Sequence, residues 1–114
     1  MIAIPGGIRL FLRREPTDMR CGFDRLSNLV ISCFGMDPLS GHLFIFLNKR
    51  CNRMKILVWD KDGFWIFWKR LEKGRFSPNF LASTNEIDRA SFTMLLDGLK
   101  AKEIKQTARY SHMN

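Results

Sequence analysis

The sequence predicts a single α+β domain in which two helices accompany a curved antiparallel β-meander. The chain has 114 residues, of which 46% are hydrophobic, and this is enough for one domain with a substantial core. Three runs rich in aromatic and branched residues follow one another with short polar connections, and apolar residues recur at helical spacing before and after them. We place the domain at residues 1–99 and a polar, frayed tail at residues 100–114.

The segment before the meander predicts one strand and one helix. Residues 8–13 alternate apolar side chains with basic or aromatic ones, which indicates a strand with one basic face. Apolar residues then recur every three or four positions from Met19 to Cys33, as on one face of a helix. The Thr17 hydroxyl can cap the start of this helix, and Gly35 can end it.

The meander is predicted from residues 42–47, 54–59 and 64–70. The polar connections at 48–53 and 60–63 are short enough for hairpins. In a meander of this kind, the first connection and the end of the third strand lie at the same edge of the sheet.

The segment after the meander predicts a small strand and a second helix. Phe80 and Leu81 can form the strand. Asp88 is expected to cap a helix whose apolar face runs from Phe92 to Leu99.

The positive charge is concentrated in the meander. Residues 42–76 contain nine basic and three acidic residues, which puts +6 of the net charge of +8 into less than a third of the chain. Such a concentration is typical of a surface that binds a polyanion, although a merely solvated charged rim remains an alternative. The predicted nucleic-acid contacts are Lys49, Arg50, Arg53, Lys55, Lys69, Arg70, Lys73 and Arg75.

The third run of the meander also carries aromatic side chains on both faces. Phe64, Ile66 and Trp68 share one face of a strand, and Trp65 and Phe67 share the other. One face is expected to join the core. Trp65 and Phe67 are the pair that we expect either to be covered or to form an exposed patch for a partner.

Two enzymatic alternatives rest on weaker patterns. A metal-dependent nuclease would need Asp60 and Asp62 to converge with Asp18 or Asp24, yet aspartate is common in turns for backbone reasons. A Ser/His/Asp site would depend on His42 or His112, of which the second lies in the polar tail. The sequence contains no phosphate-binding or dinucleotide-binding glycine motif, so we predict no enzymatic activity, no cofactor and no metal site.

The cysteines and the hydropathy favour a cytoplasmic protein. Cys21, Cys33 and Cys51 are odd in number and widely spaced, which favours reduced thiols over a zinc site or a disulfide framework. No apolar run reaches the length of about 20 residues that a membrane span needs, and no secretory signal is evident. We therefore predict no membrane association.

Several ordered motifs resemble a family of small proteins encoded by bacterial insertion sequences. They are the segments 17–24, 37–44, 53–60 and 63–76, which include Asp37-Pro38-Leu39-Ser40-Gly41 and Lys69-Arg70-Leu71-Glu72-Lys73-Gly74-Arg75-Phe76. The resemblance as a whole covers roughly residues 2 to 99. This pattern is similar to that of the TnpB-type accessory protein of the IS66 class, which is not the RNA-guided nuclease that shares the TnpB name.

The resemblance implies a non-catalytic, cytoplasmic protein that acts with the element's catalytic transposase or with double-stranded DNA at the element's ends. The basic positions that match the family motifs are Arg20, Arg53, Lys55, Lys69, Arg70 and Arg75. Two hypotheses follow. The chain binds insertion-sequence DNA through the basic sheet edge, or it docks on the transposase through Trp65 and Phe67 without direct DNA contact.

Overall fold

The structure, a computed structural model, describes residues 4–78 and 84–97 and has the predicted α+β fold. One sheet has five strands in the order β4-β3-β2-β1-β5, and a helix lies on each of its faces. The elements are β1 (Leu10–Leu12), α1 (Phe23–Leu29) continued by a π-helical turn (Val30–Phe34), β2 (Leu43–Leu47), β3 (Arg53–Asp60), β4 (Gly63–Arg70), β5 (Glu86–Ile87) and a second helix, α2, at residues 89–97. The tail at 100–114 and the strand predicted at Phe80 and Leu81 lie outside the described residues.

The predicted meander is formed by β2, β3 and β4. β2 pairs with β3 and β3 with β4, both antiparallel, and the second pair runs without interruption from Arg53 opposite Arg70 to Asp60 opposite Gly63. The tight turn between them holds Lys61 at a φ of 55°. The first strand adds to the other side of the meander as a parallel neighbour of β2, so the sheet is mixed rather than purely antiparallel.

Both faces of the sheet are covered, and this explains why every residue of β2 is buried. On one face, Leu26 and Val30 of the first helix pack on Phe11, Phe44 and Leu57. On the other face, the second helix contributes its own buried residues to a separate cluster. The members of this cluster that come from α2 are Phe92 and Leu95.

The basic face predicted for the first strand is not observed. Phe11 is buried beneath α1, because the strand lies inside the sheet between β2 and β5. The strand extends only over Leu10–Leu12. The guanidinium of Arg9, just before the strand, forms two hydrogen bonds with the Glu86 carboxylate, at 2.8 and 2.6 Å.

The start predicted for the first helix is also wrong. The helix begins at Phe23 with Gly22 as its N-cap, and Thr17 caps nothing. Instead, the Thr17 N–H donates to the carbonyl oxygen of Leu47, and its hydroxyl accepts a hydrogen bond from Arg13. The segment 17–21 is therefore a loop tied to the end of β2, a contact between distant residues that helical periodicity cannot reveal. The predicted end is confirmed, since Gly35 adopts a left-handed φ of 62°.

Asp88 caps the second helix as predicted. Its carboxylate accepts a hydrogen bond from the backbone N–H of Ser91 at 2.7 Å, and this hydrogen bond lowers the pKa of the Asp88 carboxyl. Among the described residues, no helix is long and apolar enough to cross a membrane.

Candidate nucleic-acid interface

Two loops meet at one end of the meander and carry much of its positive charge. The β2–β3 loop, residues 48–52, is joined to the segment 71–76 by two backbone hydrogen bonds. The Leu71 N–H donates to the Asn52 carbonyl and the Phe76 N–H to the Cys51 carbonyl, both at 2.7 Å. Leu71 and Phe76 are buried in the core on the α2 side, so their packing fixes the position of the 71–76 segment.

The β2–β3 loop is itself fixed by one side chain. The Asn48 carbonyl oxygen Oδ1 accepts hydrogen bonds from the backbone N–H groups of Asn52 and Arg53, at 3.0 and 2.9 Å. Cys51 takes a left-handed φ of 56° to close the turn. Lys49 and Arg50 stand exposed at the tip, and in the neighbouring loop Lys73 and Arg75 are exposed as well.

The strands add two arginines directly opposite each other. Arg53 at the start of β3 pairs in register with Arg70 at the end of β4, and both side chains are exposed. Since side chains alternate between the faces of a sheet, both lie on the face that carries α1, whereas Lys69 lies on the face of α2. The structure thus brings the predicted basic residues to one end of the sheet but divides them between its two faces.

Lys55 differs from the other predicted contacts because it is buried. It is only 7% exposed, and its ammonium group donates a hydrogen bond to the carbonyl oxygen of Cys21 at 2.9 Å. The same nitrogen lies 4.5 Å from the ring centroid of Trp68, the residue opposite it on β4. This is a cation–π contact, and it ties β4 through Lys55 to the loop before α1. We therefore leave Lys55 out of the contact surface.

A shallow groove of about 890 Å³ runs between the 16–20 loop and the β2–β3 loop. The residues that line it include Arg20, Lys49, Arg50, Arg53 and Trp68. Trp68 is 60% exposed, and it also lines a neighbouring depression with Arg53 and Arg70. Trp68 and Arg20 are missing from the contacts predicted from the charge pattern. Trp68 could have been predicted from the sequence, because residues 68 and 70 of one strand share a face and Arg70 is a predicted contact.

Two carboxylates lie among these cations. Asp18 forms an ion pair with Arg20 at 2.7 Å, and Glu72 forms one with Arg70 at 2.9 Å. The hydrogen bonds from Arg20 lower the pKa of the Asp18 carboxyl to about 2, so Asp18 stays ionised at neutral pH. Both pairs are exposed, and exposed pairs are weak enough for a phosphate to compete for the guanidinium.

Comparison with known proteins identifies the family. The family model described as "IS66 Orf2 like protein" matches residues 8–106. This chain belongs to that family. The IS66 Orf2-like family implies an accessory role in transposition, and it is not a known catalytic family. The resemblance drawn from the sequence motifs is thereby confirmed.

Two relatives from Sinorhizobium fredii have nearly the same length as this IS66 Orf2-like protein. "Uncharacterized protein y4jC" is 33% identical over 107 residues, which cover 93% of this chain and 92% of the relative. "Uncharacterized protein y4hO" is 33% identical over 109 residues, which cover 93% and 95%. No solved structure matches the chain.

The aromatic pair predicted as a partner surface lies on the other face of β4 from Trp68. Trp65 is 57% exposed and Phe67 is 36% exposed. Their rings stack with centroids 6.2 Å apart. Phe67 also lines an apolar groove of about 200 Å³, together with Phe92 and Leu96 from the second helix. In this IS66 Orf2-like protein the exposed aromatic pair and the basic groove therefore occupy opposite faces of one strand.

Asp60 and His42, two residues of the enzymatic alternatives, form hydrogen bonds within the fold. Asp60 accepts a hydrogen bond of 3.4 Å from the Trp65 indole, and the His42 Nδ1 accepts one of 2.9 Å from the Arg9 backbone N–H. Within residues 4–78 and 84–97, no three His, Cys, Asp or Glu side chains come close enough to hold a metal ion. His112 lies outside the described residues. Asp60, at the end of β3, is thus held by its aromatic neighbour on β4.

Proposed function

We propose that this protein is a non-catalytic accessory factor for transposition that binds double-stranded insertion-sequence DNA at the basic end of its sheet. By holding the element's DNA it would assist the catalytic transposase encoded by the same element. No cofactor takes part in this function. The family supports the role in transposition, and the charged end of the meander supports DNA as the ligand.

One observation carries the proposal, namely the exposed arginines Arg53 and Arg70 directly opposite each other on neighbouring strands. Like charges in this position destabilise a sheet, because the two side chains start from Cα atoms only about 5 Å apart. A phosphate placed between the guanidinium groups turns this repulsion into two charge-assisted hydrogen bonds. In the free protein Arg70 forms an exposed ion pair with Glu72, which offsets part of this repulsion and is weak enough for a phosphate to displace.

The two loops beside the arginine pair add further positive charge to the same end of the sheet. Lys49 and Arg50 flank the arginine pair from one loop, and Lys73 and Arg75 from the other. Backbone phosphates are recognised by such positive groups without sequence preference. The surface therefore supports general affinity for DNA, and preference for the element's ends would need additional contacts to the bases.

The proposal is tested by a mobility-shift titration at two salt concentrations. The probes are a duplex carrying the terminal repeats of the encoding element and a random duplex of equal length. We expect both to bind, with affinity falling steeply as salt rises, since each neutralised phosphate contributes about 0.9 to the slope of log K against log salt. Absence of binding to both probes at low salt would refute the proposal.

Asp18→Asn should strengthen DNA binding by a few-fold and steepen the salt dependence by about 0.9, because it releases Arg20 for a phosphate. The asparagine oxygen can still accept the Arg20 backbone N–H, so the loop is expected to keep its conformation. Asp62→Asn is the matched control. It makes the same change in charge at the β3–β4 turn, about 20 Å along β4 from Trp68 in the groove and beyond the screening length. Equal gains in both variants would show that only net charge matters.

A second candidate function is favoured by the stacked pair Trp65 and Phe67 on the opposite face. Exposed aromatic side chains beside an apolar groove are typical of a protein-docking surface, and here the partner would be the transposase. Co-purification with the transposase in the presence of nuclease separates the two functions. Direct docking survives nuclease treatment and is weakened by Trp65→Ala/Phe67→Ala, whereas association through DNA is lost on digestion.

A further inference from the structure

We infer that Trp68 is a stacking platform for an unpaired base, so that the groove favours DNA with a single-stranded overhang over a blunt duplex. The inference rests on the proposed function, because the same basic end of the sheet must first bind the DNA backbone. It goes further because it adds a contact with the face of a nucleobase, made by an uncharged residue, to the contacts with phosphates made by the basic residues.

The Trp68 ring is held in place before any ligand arrives. The Lys55 ammonium lies against one face of the ring, 4.5 Å from its centroid. That ammonium is in turn fixed by the carbonyl of Cys21, and the Lys55 side chain is buried. A ring fixed in this way loses little conformational freedom on binding, which favours the complex.

The rest of the ring faces solvent. Trp68 is 60% exposed even though Lys55 covers one face, so the rest of the ring is accessible to a ligand. The residue lines both the groove and the neighbouring depression with Arg53 and Arg70. Trp59, on the neighbouring strand, instead packs edge-on against Phe64 at 5.0 Å. On the face of the hairpin that carries α1, Trp68 near the loops is thus open to a ligand, whereas Trp59 at the other end packs against Phe64.

The charges around Trp68 fit the backbone of a strand whose base lies on the ring. Arg70 shares the same face two residues further along β4, and Arg53 lies opposite it on β3. Arg20 and Lys49 line the other side of the groove. An aromatic ring bordered by guanidinium groups is the usual way to bind single-stranded nucleic acid, with the base on the ring and the phosphates on the cations.

A paired base inside a duplex cannot use this platform, because both of its faces are covered by its neighbours in the stack. The favoured ligand is therefore DNA in which a duplex ends in unpaired nucleotides. The duplex portion contacts the loops, and the first unpaired base reaches Trp68.

The test compares a blunt duplex with the same duplex carrying a short single-stranded thymine overhang, by mobility shift at fixed salt. We expect the wild-type protein to bind the overhang probe about tenfold more tightly than the blunt probe. Trp68→Leu should bring the ratio of the two affinities down to about one. The ratio is the readout because loss of the Lys55 contact changes the affinity for both probes alike. A fluorescent aminopurine in the overhang should be quenched by the wild-type protein and not by Trp68→Leu.

Trp65→Leu is the matched control, because Trp65 lies on the same strand, is 57% exposed and faces the other way. It should keep the full preference for the overhang. Equal affinity of the wild-type protein for both probes would overturn the inference and leave the proposed function standing. Equal loss of preference in both tryptophan variants would overturn the assignment to Trp68. Failure to bind either probe would refute the proposed function and the inference together.

Discussion

Replacing Arg53 and Arg70 together by glutamine should lower the affinity for duplex DNA by about ten- to a hundredfold and reduce the salt slope by about 1.8. The two arginines occupy exposed positions directly opposite each other in the register of β3 and β4. A phosphate between them would accept hydrogen bonds from both and replace the exposed Glu72 carboxylate as the partner of Arg70. Glutamine is shorter than arginine but ends in a polar, uncharged group. The exposed ion pair of Arg70 with Glu72 is lost at little cost, so the sheet should keep its stability.

The single variants and one distant lysine make this prediction specific. Arg53→Gln and Arg70→Gln should each reduce the slope by about 0.9, whereas Lys61→Gln, at the opposite end of the same hairpin, should leave it unchanged. Mobility-shift titrations over a range of salt concentrations give all four slopes. If Lys61→Gln weakens binding as much as either arginine variant, the protein attracts DNA through its overall charge and the arginine pair is not the contact surface.

The sequence was sufficient to predict the meander and the place where its basic residues meet. Residues 42–70 contain three runs rich in aromatic and branched residues, and the polar connections between them are short enough for hairpins. Once β3 and β4 pair antiparallel, Arg53 and Arg70 must lie at the same end of the ribbon. Because successive side chains of a strand point to opposite faces, Lys69 and Arg70 must lie on different faces of the sheet.

The features that the sequence did not predict depend on contacts between distant residues. A lysine on a strand with a basic neighbourhood is expected to face solvent, and Lys55 is buried only because the 17–21 loop offers the carbonyl of Cys21. That loop exists because Thr17 bonds to the end of β2 instead of starting a helix. The fixed position of the Trp68 ring depends on the buried Lys55 and on the 17–21 loop that holds Lys55 in place. Local periodicity contains none of this information.

Phe76→Ala should destabilise the protein by about 3–5 kcal/mol, a large part of the free energy of unfolding of a small domain. Phe76 is 1% exposed and packs into the cluster beneath α2, while its backbone N–H holds the β2–β3 loop through the Cys51 carbonyl. Removing the ring leaves a cavity under the segment that carries Lys73 and Arg75. Urea denaturation followed by tryptophan fluorescence measures the loss.

Phe23→Ala is the matched control, because it makes the same chemical change at a phenylalanine that is 47% exposed. Its cost should be about 1 kcal/mol or less. Phe76→Leu should retain most of the stability, and with it the DNA affinity, because leucine fills much of the same volume. In the folded fraction of Phe76→Ala, affinity should fall although no charge has been removed, since the anchored loop positions Lys73 and Arg75 beside Lys49 and Arg50. Unchanged affinity in that variant would mean that binding does not depend on the position that the buried Phe76 ring gives to the 71–76 segment. The arginine pair on β3 and β4 would then be sufficient for binding.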